Sequence, residues 1–192
     1  MKTGVQYQLI FVFALLLALA LAGCEGTPTP QSIYTRITDG AIHPGDAIPV
    51  AQGAPILTVT GRIGSANSGD AIVMDLATIE AVGIVEYTVL DPFQNREITY
   101  RGPLMSDLLA LWQVPDEATI LDVLALNDYR ADVPIDLVRD FPVIFAVQSD
   151  GEYMPIVERG PAMLVFPYDD FEFERPANDS YWVWQIKSID IR

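Results

Sequence analysis

The one cysteine of the chain, Cys24, closes the tetrapeptide Leu21-Ala22-Gly23-Cys24 directly after a long apolar run. A thiol is the most versatile nucleophile a protein carries, and the setting of this one assigns it to acylation. Small residues before a cysteine are what a lipoprotein signal peptidase requires once a diacylglycerol has joined the sulfur. Lys2 supplies a short basic start and residues 9–20 an uncharged apolar stretch, the order of a bacterial secretory signal. That stretch is shorter than the roughly 20 apolar residues of a membrane span. Once acylated, the sulfur is a thioether and leaves no thiolate for metal binding, disulfide formation or nucleophilic attack. His43, the lone histidine, stands in the turn-like His43-Pro44-Gly45-Asp46 and has no second histidine to share a metal with. Asp169, Asp170, Glu172 and Glu174 make an acidic cluster whose spacing does not match a calcium loop, so it reads as a solvated loop. The chain has no glycine-rich dinucleotide fingerprint, phosphate loop or nucleophile elbow.

These groups need a scaffold, and the chain divides into three parts that supply one. Residues 1–23 are the signal, 24–54 a tether and lead-in, and 55–192 the folded domain. Thr27-Pro28-Thr29-Pro30-Gln31-Ser32 is an extended polar spacer, and Gly40, Pro44, Gly45 and Pro49 then punctuate a stretch that wraps on the domain. The formal charge of −15 argues against nucleic acid, which demands a basic face, and against docking on anionic lipid. Within the domain, alternation predicts strands over residues 56–61, 71–76, 84–90, 96–100, 119–126, 143–148, 162–166 and 181–192. Asp75 opens a short helix over 76–82 that Gly83 stops, and Leu104, Leu108, Leu109 and Trp112 fall at helical spacing ahead of Pro115. Asp91-Pro92 and Asp150-Gly151 are turn signals, the second a hairpin turn. Strands dominate over two or three short helices, so the predicted class is α+β with a strand-rich, mixed, barrel-like sheet.

Five segments in this order carry a family resemblance: Leu57-Thr58-Val59-Thr60-Gly61; Arg101-Gly102-Pro103-Leu104-Met105-Ser106-Asp107-Leu108-Leu109; Ala125-Leu126-Asn127-Asp128-Tyr129; Arg159-Gly160-Pro161-Ala162-Met163-Leu164-Val165-Phe166-Pro167-Tyr168-Asp169-Asp170; and Trp184-Gln185-Ile186-Lys187-Ser188-Ile189-Asp190-Ile191. Together they resemble the oxidoreductase molybdopterin-binding domain of the sulfite oxidase superfamily, and most closely its short secreted pterin-binding branch. The resemblance implies the sulfite-oxidase-like fold from about residue 55 to the end. In the enzymes of that family one protein thiolate holds molybdenum, after the strand that here would be residues 84–90. Here that region reads Glu86-Tyr87-Thr88-Val89-Leu90-Asp91-Pro92-Phe93-Gln94-Asn95, without cysteine or histidine. An oxygen donor does not replace a soft sulfur ligand on equal terms.

The resemblance without the thiolate implies recognition of a pterin ring without molybdenum redox chemistry and with no catalytic residue. A pterin offers a 2-amino group beside a ring N–H, which one carboxylate accepts as two parallel hydrogen bonds, and its flat face suits aromatic stacking. Asp128 beside Tyr129 and Asp170 beside Tyr168 combine both components. Phe93, Trp182 and Trp184 are candidates for the stacking wall, and Arg159 or Arg130 for the 4-oxo group. The expected cofactor is none, with a reduced pterin as ligand. The expected protein is lipid-anchored outside the cytoplasm, on the periplasmic side or the cell surface, with a membrane signalling protein as its partner. Two alternatives stay open: a molybdopterin-dependent oxidoreductase with an atypical ligand, and a ligand-free interaction scaffold. Changing Cys24→Ala is expected to leave an unprocessed, unacylated precursor, checked by electrophoresis and mass spectrometry; a normally processed product would overturn the signal assignment.

Overall fold

The computed structural model describes residues 33–174 and 177–192; the signal, the acceptor Cys24 and the spacer lie outside the described residues. Twelve strands are described: β1 (Thr35–Thr38), β2 (Leu57–Gly61), β3 (Ile72–Met74), β4 (Ile84–Asp91), β5 (Arg96–Gly102), β6 (Ile120–Ala125), β7 (Arg130–Pro134), β8 (Ile144–Ala146), β9 (Gln148–Ser149), β10 (Glu152–Tyr153), β11 (Met163–Val165) and β12 (Ile186–Ile191). The helices Leu76–Glu80, Met105–Leu111 and Ile135–Asp140 are short, and Ala177–Tyr181 is a 3-10 turn. Among the described residues no helix is long and apolar enough to cross a membrane.

Two five-stranded sheets enclose one core. The first runs β1-β4-β5-β9-β10 and is antiparallel; the second runs β3-β2-β12-β6-β7 and is mixed, because β12 lies parallel to β2 and antiparallel to β6. The pair β8–β11 lies between them in the chain's packing, and its residues Ile144, Phe145, Ala146, Met163, Leu164 and Val165 are all fully buried. Strand period two explains the layering. Along β4, Val85, Tyr87 and Val89 turn inward while Thr88 and Leu90 face solvent. The same period carries Asp91 inward at the strand's end. The architecture is thus the α+β, mixed-sheet class that the alternation predicts.

Two glycines of the quoted motifs are explained by close approach. A Cβ on Gly102 would stand 2.0 Å from the Phe145 carbonyl oxygen, where β5 hands over to β8. One on Gly160 would stand 1.8 Å from the Met154 carbonyl oxygen, so only glycine lets the 155–160 loop fold onto that backbone.

Several local expectations shift. The strand expected over 181–192 is confined to β12, because Gln185 takes a left-handed φ of 56° and the residues ahead of it form the 3-10 turn. Neither β7 nor the helix Ile135–Asp140 is foreshadowed by the apolar pattern; β7 alternates in burial but carries only Ala131 and Val133 as inward apolar residues. The 76–82 helix stops at Glu80, and Gly83 follows at φ 105°.

The lead-in 33–54 lies on the domain, as the punctuation of that stretch predicts. Every residue of β1 is exposed, and β1 is held to β4 through its ladder, with Arg36 facing Asp107 at 3.4 Å. Further along, the buried Asp75 caps the helix by accepting from the Thr78 amide (2.9 Å) and hydroxyl (2.7 Å). Its other oxygen takes the Gln52 and Gly53 amides at 2.8 and 2.7 Å. These bonds, led by that from Gly53 and then those from Thr78, outweigh burial and hold the Asp75 carboxyl well below the usual carboxylate range. The depressed folded value means its stabilisation is complete above the unfolded value near pH 4 and fades as pH falls toward the folded one. Asp75→Ala is expected to cost about 2–3 kcal/mol in urea melts, with the difference from the parent shrinking below about pH 4; a loss unchanged down to pH 2 would overturn the account.

Candidate functional site

The functional end of the molecule is organised around Asp91. As the last residue of β4 it closes the β4–β5 hairpin opposite Arg96, and its side chain is completely buried. Oδ1 accepts the amides of Phe93 (2.8 Å) and Gln94 (2.7 Å), which fixes the hairpin turn. Oδ2 accepts the Tyr100 hydroxyl at 2.6 Å and the Arg159 guanidinium. Burial pushes the Asp91 carboxyl up, but the bonds from Tyr100, Arg159 and the two amides prevail and hold it below its ordinary value. Burial first, then the neighbouring Asp91, drives the Tyr100 phenol far above its own.

The turn that Asp91 holds aims Phe93 at Trp184, with ring centroids 5.0 Å apart in an edge-to-face arrangement. Arg159 completes the stack: its guanidinium carbon lies 4.8 Å from the Trp184 ring and 5.7 Å from Phe93. Gln185 anchors the segment ahead of β12. Its amide donates to the Arg159 carbonyl (2.9 Å), its side chain to the Ile156 carbonyl (2.6 Å), and its own carbonyl accepts from Leu126 (2.8 Å).

In front of this stack opens a cavity of about 300 Å³, walled by Phe93, Tyr129, Trp182, Val183 and Trp184, with Asn127, Asp179 and Ser180 as its polar members. The Tyr129 hydroxyl donates to the Ser180 carbonyl (3.0 Å), tying the β6–β7 turn to the 3-10 turn across the cavity. Trp182 is 2% exposed, packs on Tyr100, Tyr168 and Phe93, and its indole N–H has no partner among the described residues. The wall has no cation among the described residues.

The candidates named from sequence distribute unevenly around this cavity. Phe93, Tyr129 and Trp184 stand in its wall, joined by Trp182. Arg159 lies behind Trp184, committed to Asp91, and Arg130 is committed to Asp122. Tyr168 lies behind Trp182 at a centroid distance of 5.2 Å. Asp128 and Asp170 are not among the lining residues. Asp128, exposed and at a left-handed φ of 65°, pairs with Lys187 at 3.2 Å. Asp170 is exposed, and its carboxyl is raised by partial burial and by the charge of Asp169, whose side chain accepts the Leu90 amide at 2.8 Å. The carboxylate that does reach the cavity is Asp179, and with it come Asn127 and Ser180. Sequence reading passed over Asp179 because no apolar period or turn dipeptide marks the 177–181 turn. Asp91 was read only as a turn former, although its place at the inward end of an alternating strand is a signal that it is buried and partnered.

No protein-family model matches the chain, and no curated protein does. Among solved structures, the sulfane dehydrogenase SoxCD from Paracoccus pantotrophus is similar to it, with a TM-score of 0.55 and 22% identity over 88% of this chain. The match takes in 44% of the SoxCD chain, so this protein spans less than half the length of that neighbour. The likeness is one of fold, and it supports the sulfite-oxidase-like architecture that the motifs imply.

That fold raises the question of a molybdenum-bearing pterin, and the donor set answers it. The segment 86–95 offers Asp91 as its inward donor, and both of its oxygens are taken by four protein donors. Among the described residues no group of three or more His, Cys, Asp or Glu side chains converges for a metal ion. The cations around the cavity, Arg130, Arg159 and Lys187, face Asp122, Asp91 and Asp128 rather than a phosphate tail. The residues present do not fit that group. Asp91→Ala is expected to destabilise the protein by about 3–5 kcal/mol, because it strands a buried guanidinium; a urea midpoint close to the parent's would overturn the central place given to this carboxylate.

Proposed function

We propose that this protein is a lipid-anchored, extracytoplasmic binding module for a flat heterocycle of the pterin class, without molybdenum redox chemistry. The observation that carries the reading is the aromatic-walled cavity of about 300 Å³ with one carboxylate in its lining. Ligand sites run from about 300 to 1,000 Å³, so this one suits a single small ring system rather than a dinucleotide. Phe93, Tyr129 and Trp184 supply the faces on which a bicyclic ring stacks, and Asp179 the acceptor for an amino group beside a ring N–H. The anchor rests on Cys24 and its apolar leader. A membrane-bound signalling partner that reads occupancy of the cavity belongs to the same proposal and rests on the family resemblance.

The wall has binding groups and no reacting pair. Asp179 has no titrating nucleophile or second carboxylate beside it in the lining, so the geometry favours holding a ring over converting it.

Calorimetry with oxidised and reduced pterins on natively purified protein tests the reading, together with mass spectrometry of whatever small molecule and metal the protein releases. The expected result is binding below millimolar and no stoichiometric molybdenum. Trp184→Ala should weaken binding by about 1–2 kcal/mol, or five- to thirtyfold. Asp179→Asn should cost about 2–5 kcal/mol if the carboxylate makes the paired contact, while Asp128→Ala leaves binding unchanged. Failure of every pterin to bind would hand the cavity to the scaffold alternative, and one molybdenum per chain would restore the oxidoreductase one.

A further inference from the structure

Taking the ring-binding reading as its basis, we infer that the cavity selects an uncharged heterocycle over one bearing a carboxylate or phosphate, and that Asp91 is the residue that sets this preference. An anionic substituent held away from water needs a fixed cationic donor. One stands directly behind the wall: Arg159, with 16% of its side chain exposed, stacked on Trp184 and Phe93. Its charge is cancelled before any ligand arrives. Asp91, wholly buried, holds it by direct contact, so the pair presents the cavity with an aromatic-backed neutral unit rather than a cation. The two other cations near the rim are cancelled likewise, Arg130 by Asp122 and Lys187 by Asp128.

What the lining does present is suited to a neutral ring. Asn127 Oδ1 accepts the Tyr129 amide at 3.0 Å, which leaves the amino end of that side chain as a neutral donor. The Trp182 indole N–H is a second neutral donor, buried and without a partner among the described residues. Asp179 is an acceptor. A ring that offers N–H groups to Asp179 and a carbonyl or ring nitrogen to the neutral donors matches this set. An ionised substituent would lose hydration beside Asp179 and gain no uncancelled cation among the described residues.

Pterin and pterin-6-carboxylate, the first uncharged and the second anionic at neutral pH, differ by one ionised group and make the test. Titrated into the natively purified protein, pterin is expected to bind at least about tenfold more tightly, tenfold being 1.4 kcal/mol. Raising the salt concentration should narrow the gap by screening the repulsion. Asp91→Asn keeps the shape of the side chain and uncovers the charge of Arg159, so it should narrow the gap several-fold. If that variant does not fold, the salt series on the unaltered protein carries the test. Equal or tighter binding of the carboxylate overturns the inference and leaves ring binding standing. A full gap in a folded Asp91→Asn protein overturns the role of Asp91. Binding of neither compound overturns the ring-binding reading and this inference with it.

Discussion

A carboxylate at an inward position of a strand has to be satisfied or expelled, and the functional end of this protein is built on the first solution. Asp91 reaches the interior because β4 alternates, and four donors meet it there: two amides of its own turn, a phenol from β5 and a guanidinium 68 residues further along the chain. Each bond fixes something different. The amides set the hairpin tip and with it the direction of Phe93. Tyr100 ties the carboxylate to β5, and Arg159 brings in the 155–160 loop that Gly160 allows to lie against Met154. Trp184 then rests on a guanidinium that cannot move, with Phe93 against its edge. A buried ion pair contributes little to stability compared with an apolar replacement of the same shape, yet breaking one is expensive. Here it positions an aromatic wall.

What could be read from the sequence follows from how local each signal is. The strands β2, β4, β5 and β6 alternate in their own residues, and the Asp150-Gly151 turn takes the two left-handed φ angles that its dipeptide predicts. Gly102 and Gly160 stood out as motif residues, and the reason for each is a backbone contact with another segment that sequence does not show. β1 was invisible to any hydrophobic pattern because all four of its residues are exposed and only its ladder to β4 holds it. The aromatic half of the site was legible, since Phe93, Tyr129 and Trp184 flank strand ends. Its polar half was not: whether Asp128, Asp170 or Asp179 faces a cavity depends on which way a loop turns after it leaves the sheet, and Gln185 with its left-handed φ decides that for the last of these segments.

The similarity to SoxCD and the difference in donors are compatible once fold and site are separated. A scaffold of two packed sheets places strand ends and turns at one end of the body, and any chemistry at that end is set by the side chains mounted there. Here those side chains are aromatic rings, one lining carboxylate and neutral donors.

Charge composition makes that choice self-consistent. With 26 acidic residues against 11 basic ones, an arginine or lysine near the cavity has carboxylates within easy reach, and Arg130, Arg159 and Lys187 each have one. A site that grips a phosphorylated cofactor would require several cations held free of such partners in a molecule with a formal charge of −15, against the field of its own surface. An aromatic cavity makes no such demand. Its affinity comes from removing flat apolar faces from water and from a few hydrogen bonds that fix orientation. Both are insensitive to the surplus of acid around them, so the composition that rules out one kind of site leaves the other intact.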